Sequence, residues 1–157
     1  SAGPAMIGIV GAEERLEAMT ISEHTSFTSF LRPLAVRYGA SVLITGSAAA
    51  LIPDFETRYH ARTIGFVQRT LDRLERLYDV YDGDDELTRQ RKEETKAQFE
   101  RGVALFCSKE YYDARLLFIE VLKKHRQDQA AKHYLYLCDT YYREENGGEH
   151  PVWLESY

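Results

Sequence analysis

The sequence predicts an α+β protein: a sheet-and-helix segment over residues 3–82, an all-α segment over 84–146, and a tail over 147–157. Three observations predict it. Short β-prone runs such as Val42-Leu43-Ile44-Thr45 and Leu77-Tyr78-Asp79-Val80-Tyr81 are confined to the first segment. From Glu86 onward, apolar residues recur every three or four positions through three stretches. Between the two patterns, Asp82-Gly83-Asp84-Asp85 couples a turn signal to acidic residues suited to cap a helix N-terminus.

In chain order, Ala5 to Val10 is a short apolar run bounded by Gly3-Pro4 and Gly11, and reads as a strand. Leu16 to Ile21 reads as a second strand, with Gly11 near the turn of a hairpin. Over Ser22 to Tyr38 the period becomes helical: Phe27, Phe30, Leu31, Leu34 and Tyr38 share a face. Pro33 interrupts that pattern and Gly39 supplies a C-terminal stop. Val42 to Thr45 is a buried strand, and Ser47 to Leu51 a helical turn stopped by Pro53. Arg58 to Val67 and Glu75 to Tyr81 read as two more strands, although Leu71, Leu74 and Leu77 also fit a helical spacing. Helices follow over Glu86 to Cys107, Tyr111 to His125 and Gln129 to Arg143. Their three-residue links imply antiparallel neighbours. Asn146-Gly147-Gly148 ends the last helix, and the tail carries Trp153.

Bulk properties restrict the function. A length of 157 residues suits one ordinary domain or two small ones. A segment of about 80 residues has only a marginal core, so the segments are expected to lean on each other or on a partner. A net charge of -5 argues against a general nucleic-acid binder, which needs a basic surface, and gives no reason for direct membrane contact. No run approaches the roughly 18 apolar residues of a membrane span. Cys107 and Cys138 lie in apolar helical patterns outside any CxxC pair, which suits reduced, buried thiols in a cytoplasmic protein. The chain begins at Ser1 with Met6 inside an apolar stretch. It is therefore expected to be a piece of a longer protein, with any anchor or sensor upstream.

Gly3 through Gly11, followed by Glu14-Arg15 and Thr20-Ile21, forms a glycine-spaced pattern ahead of Ile21-Ser22-Glu23-His24-Thr25-Ser26-Phe27-Thr28-Ser29-Phe30-Leu31. With Tyr38-Gly39, Val42-Leu43-Ile44 and Leu77-Tyr78-Asp79-Val80-Tyr81, this series resembles the C-terminal half of a class III adenylate/guanylate cyclase domain. The resemblance implies a partial, ferredoxin-like subdomain. It also implies degeneracy. Glu23 stands where the family has its purine-recognising Asp, Ser26 where it has the ribose-orienting Asn, and Phe30 where it has the phosphate-stabilising Arg. A phenyl ring cannot replace the donors of a guanidinium, and losing one such donor costs about 2.7–4 kcal/mol of transition-state stabilisation. The family's metal-binding aspartates lie upstream of this pattern, so no catalytic residue and no cofactor is expected within this chain. The alternative is a cyclase fragment active only with its upstream metal-binding half or a complementing partner; a non-catalytic nucleotide sensor using the remnant pocket is a third reading.

Gly102, Ala114 and Phe118 stand at the spacing of the small, alanine and aromatic positions of a tetratricopeptide repeat, which the second half resembles. Val121 and Arg126 depart from the pattern. One and a half repeats fall below the roughly three that stand alone, so support from the first half or from another copy is expected. The tyrosines of this half (Tyr111, Tyr112, Tyr134, Tyr136, Tyr141 and Tyr142) and Trp153 in the tail are the interaction candidates, since amphipathic aromatics suit binding surfaces. The preferred function is a non-catalytic regulatory, protein-interaction and oligomerisation region of a cyclase-like signalling protein, pairing with itself or a peptide partner through the helices. His125, His133 and Cys138 lack metal-site spacing. Asp82 to Glu93 lacks the ligand positions of a calcium loop, and helix capping explains its acids better.

Overall fold

The computed structural model describes residues 9–11, 24–70, 73–144 and 154–156. The elements are β1 (Ile9–Gly11), α1 (His24–Tyr38), β2 (Val42–Thr45), α2 (Gly46–Ala49), α3 (Phe55–Arg58), β3 (Ala61–Thr70), β4 (Arg73–Val80), α4 (Glu86–Cys107), α5 (Tyr111–Lys124), α6 (Gln129–Arg143) and β5 (Leu154–Ser156). The mixed α+β class is as the sequence predicts. The expected strand Leu16 to Ile21, and with it the hairpin, lies outside the described residues.

The sheet order is β1-β2-β4-β3-β5, antiparallel throughout except for the parallel pairing of β3 with β5. Alternation along β2 sends Leu43 to the main core and Ile44 to a smaller cluster on the other face, where Ala49 of α2 and Phe55 of α3 cover it. On β3 the register with β4 shifts between Thr63 and Gly65, so Ile64 and Gly65 share one partner, Leu77. This bulge lets Ile64 join Val67 and Leu77 in the main core.

Helix α1 buries Leu31, Leu34, Ala35 and Tyr38, a three-and-four spacing along one face. Pro33 sits on the exposed side, and the helix continues through it. The helix ends in a Schellman arrangement. Gly39 at φ 63° donates its N–H to the Val36 carbonyl, and the Ala40 N–H reaches the Ala35 carbonyl at 2.9 Å. Helix α4 starts where the acidic turn predicted, with the Asp85 carboxylate accepting from the Thr88 N–H at 2.9 Å.

Helices α4, α5 and α6 run antiparallel in succession. Phe106 meets Tyr111 while Gly102, further back on α4, meets Phe118, further along α5. In the same way Tyr111 stacks on Tyr141 and Phe118 on Tyr134.

Several boundaries differ from the sequence reading by one or two residues, as at α1, α2 and the ends of β4 and α5, and by more in the β3–β4 pair. Strand β3 begins at Ala61, not Arg58, because 55–58 form the short helix α3. Strands β3 and β4 pair out to Thr70 and Arg73, beyond their apolar alternation, because the backbone ladder needs no apolar side chains. The helical spacing of Leu74 and Leu77 is accidental: on a strand they point to opposite faces, and Leu74 is exposed while Leu77 is buried.

The two segments share one core. Leu31, Leu43, Ile64 and Leu77 from the first pack in the same cluster as Phe99, Phe118 and Tyr134 from the second. Tyr134 is the cross-link: its ring is fully buried, and its hydroxyl donates to the Ile64 carbonyl at 2.8 Å. A Cβ at Gly65 would lie 2.9 Å from that hydroxyl oxygen, so the close approach requires glycine. Among the described residues, no helix is long and apolar enough to cross a membrane.

Gly65→Ala is expected to cost about 1–3 kcal/mol through overpacking. In Tyr134→Phe, which lacks the obstructing hydroxyl, the same change is expected to cost less, so the double-mutant cycle by urea denaturation shows positive coupling.

Candidate functional site

Two features stand out: a charged cluster inside and an aromatic face outside. The charged cluster centres on Arg62 of β3, which is 1% exposed. Its Nε donates to Asp79 Oδ2 of β4 at 3.1 Å. Its two terminal nitrogens donate to the carboxylate of Asp128, the N-cap of α6, at 2.6 and 3.1 Å. The guanidinium carbon sits 4.0 Å from the centre of the Phe99 ring on α4, adding a cation–π contact. Lys92 of α4 reaches Asp79 at 3.1 Å and Asp84 at 2.7 Å, and Asp84 accepts from Ser41 at 2.8 Å. Asp128 also caps α6 by accepting from the Ala131 N–H at 3.1 Å. The cluster thereby joins β3, β4, α4, the start of α6 and the link after α1.

The electrostatics follow from this pairing. Burial opposes the charge on Arg62, yet Asp128 and Asp79 beside it raise its pKa above the ordinary arginine value. Burial pushes the Asp128 carboxyl up, but the charge and hydrogen bonds of Arg62 outweigh it and hold the group below the usual carboxylate range. His125 is buried at the edge of the cluster, with Nδ1 3.7 Å from Asp128 Oδ2, too far for a hydrogen bond. Burial lowers its pKa, and the nearby Arg62, Lys92 and Arg91 add to this against the opposing pull of Asp128. A cleft of about 350 Å³ opens over the cluster beside Gly39 and Gln129. Its buried cations are engaged by carboxylates of the same cluster. No group of three or more metal-ligating side chains occurs among the described residues.

The tyrosines expected at an interaction surface divide. Tyr134 is fully buried, and Tyr111 and Tyr141 are 8% and 6% exposed, stacked on each other at 5.4 Å. These three fill the space between α4, α5 and α6, and only the edges of Tyr111 and Tyr141 reach the groove described next. Tyr112 and Tyr142 are 53% and 58% exposed, with ring centres 5.8 Å apart, and border an open groove of about 760 Å³ between the start of α5 and the end of α6. Tyr136 on α6 and Leu116 on α5 are exposed as well.

Gly102 of α4 faces Phe118 of α5, with Ala114 one turn before it. Ala114 is buried, and a Cβ at Gly102 would lie 2.8 Å from the Phe118 ring. Ser26 and Phe30 lie on α1, while Glu23 and Trp153 fall outside the described residues. Burial pushes the Cys107 and Cys138 thiols up to about 12, so both stay protonated near neutrality.

Sequence reasoning missed the Arg62 cluster. The available signal was a charge inside each of two β-prone runs, Arg62 and Asp79, and a lysine in register with the buried positions Thr95, Phe99 and Phe106 of α4.

Arg62→Met is expected to cost about 3–5 kcal/mol, because Asp128 is left buried without its counter-charge and Asp79 keeps only Lys92. Arg62→Lys should recover only part of this, since an ammonium cannot fork to both acids; urea denaturation at pH 7 reads both. The His125 pKa lies below the 6.5 of the unfolded chain. The unfolded state therefore binds a proton first as the pH falls, and stability is lost from about 6.5 downward through the folded pKa. His125→Gln is expected to flatten that slope in melts recorded from pH 7.5 to 5. No family model, no curated protein and no solved structure matches the chain.

Proposed function

We propose that this chain is a non-catalytic regulatory and protein-interaction region of a cyclase-like signalling protein. The sheet-bearing half is a degenerate class III cyclase remnant. The helical half is a tetratricopeptide-like module that associates with a peptide partner or another copy. The observation that carries the reading is a contrast in where the chain leaves chemistry unused. Inside, Arg62 and Lys92 are engaged by Asp79, Asp84 and Asp128. Outside, Tyr112, Leu116, Tyr136 and Tyr142 stand in solvent on one helical hairpin. A preorganised phosphoryl-transfer site needs cations aimed at the ligand; an interaction module needs aromatic anchors at its surface.

The packing of Phe118 against Gly102, with Ala114 buried one turn before it on α5, supports the helical part of the reading, since close approach of the two helices is what the repeat spacing is for. At the family's ribose and phosphate positions, Ser26 and Phe30 supply neither an amide nor a cation. The chain is expected to release no cyclic nucleotide from ATP or GTP with manganese, and to give no heat with either nucleotide in titration calorimetry. Turnover by the intact homomeric protein that disappears on Ser26→Ala or Glu23→Ala would overturn the reading.

A further inference from the structure

We propose that the outward face of α5 is a self-pairing surface, on which α5 of a second copy lies antiparallel across a two-fold axis. This rests on the interaction-module reading above and names its partner. Helix α5 has 14 residues, about 21 Å of length at ~1.5 Å per residue. Its inner face is spent on the core through Tyr111, Ala114, Phe118 and Val121. Opposite these lie Tyr112, Leu116 and Ile119, spaced four and three apart, a second apolar stripe on the solvent side. Tyr112 and Leu116 are exposed and Ile119 is partly so. One helix with two apolar faces, one of them covered by no described element, has the pattern of a helix that packs on both sides.

The charges around the stripe say what covers it. The N-terminal end of α5 is acidic, with Glu110 and Asp113, and its last turn is basic, with Lys123 and Lys124. A helix charged this way complements its own reverse. A two-fold axis near the middle of α5 sets Asp113 of each copy against Lys123 of the other, while the apolar stripes meet between them. A parallel placement would oppose like charges at both ends. In a protein of net charge -5, an end-to-end balanced face is where two copies can approach with least repulsion. Lys123 now bonds Glu120 at 2.7 Å, but both side chains are well exposed, and such a pair exchanges partners at little cost. The α5–α6 hairpins of the two copies then form a four-helix arrangement with isologous symmetry, and Tyr142 flanks the stripe.

Sedimentation equilibrium of the full chain from about 1 to 100 μM, a range suited to a modest interface, is expected to show a reversible dimer. Leu116→Glu should weaken it by about tenfold or more. Asp113→Lys and Lys123→Asp should each weaken it about tenfold alone, since each homodimer then carries two like-charge contacts. An equimolar mixture of these two variants should regain the original affinity, because both contacts are again opposite in sign. All three positions are exposed, and unchanged thermal melts show that the variants fold. A monomer at the highest concentration, a dimer indifferent to Leu116→Glu, or a mixture no tighter than its components would overturn the proposal. The non-catalytic reading fails by a different sign, cyclic nucleotide formation, which does not depend on α5.

Discussion

The guanidinium of Arg62 is the point on which four chain elements converge. A positive charge with 1% exposure is tolerable only if its donors are met by acceptors in the right plane. Asp79 meets one edge and Asp128 the other, while Phe99 covers the face. Each of these belongs to a different element: β4, the cap of α6, and α4. Satisfying one arginine therefore fixes how β3 and β4 register and where α6 begins relative to the sheet. Lys92 repeats the constraint from the other side, because it shares Asp79 and holds Asp84 at the turn leading into its own helix. Replacing such a network wholesale with well-packed apolar residues is often neutral or stabilising in energy. What the network does show is geometry: the observed arrangement of the elements pairs all five charges at once.

Around this polar pin the aromatic residues set the distance between the halves. Tyr134 stacks on Phe118 at 5.0 Å and on Tyr38 at 5.9 Å, and its hydroxyl ends on the β3 backbone beside Gly65. One side chain thus touches α5, α1 and the sheet. Glycine at position 65 and glycine at position 102 serve the same end, since each makes room for an aromatic group from another element. The polar pin joins the elements, and the aromatic contacts, with the aliphatic residues packed in the same cluster, bury the apolar surface between them.

The parts of this arrangement legible in the sequence are those set by local rules. The bounds of β2, α4 and α6 follow from apolar periodicity and, at the start of α4, from the acidic turn whose Asp85 acts within three residues of itself. Gly39 marks the end of α1 for the same reason. The length of the β3–β4 hairpin was not legible, because its outer half is held by backbone pairing that polar residues such as Gln68 accept as readily as apolar ones. Helix α3 was missed because four residues carry too little periodicity to register. The Arg62 cluster depends on residues 17 and 66 positions away in the chain, a pairing that no window along the sequence contains. The tyrosines misled in a more specific way. Tyr111 and Tyr112 are adjacent and chemically identical, yet a step of about 100° around the helix puts one in the core and the other in water.

That 100° step also explains why so short a helical array holds together and why it is left incomplete. A stack of antiparallel helices needs a neighbour on each flank to bury its outer stripes, and this one has only three members. On the flank of α6, helix α1 takes the place of the missing neighbour: Tyr38 sits edge-on to His133 at 5.4 Å and stacks on Tyr134. The sheet closes the side formed by α4, where the Thr63 N–H donates to Glu100 at 2.7 Å. No described element performs this service for the outer stripe of α5, where Tyr112 and Leu116 remain in water. The first half of the chain therefore covers both flanks of the three-helix array, at α6 through α1 and at α4 through the sheet, and the outer stripe of the central helix α5 is the face it leaves to water.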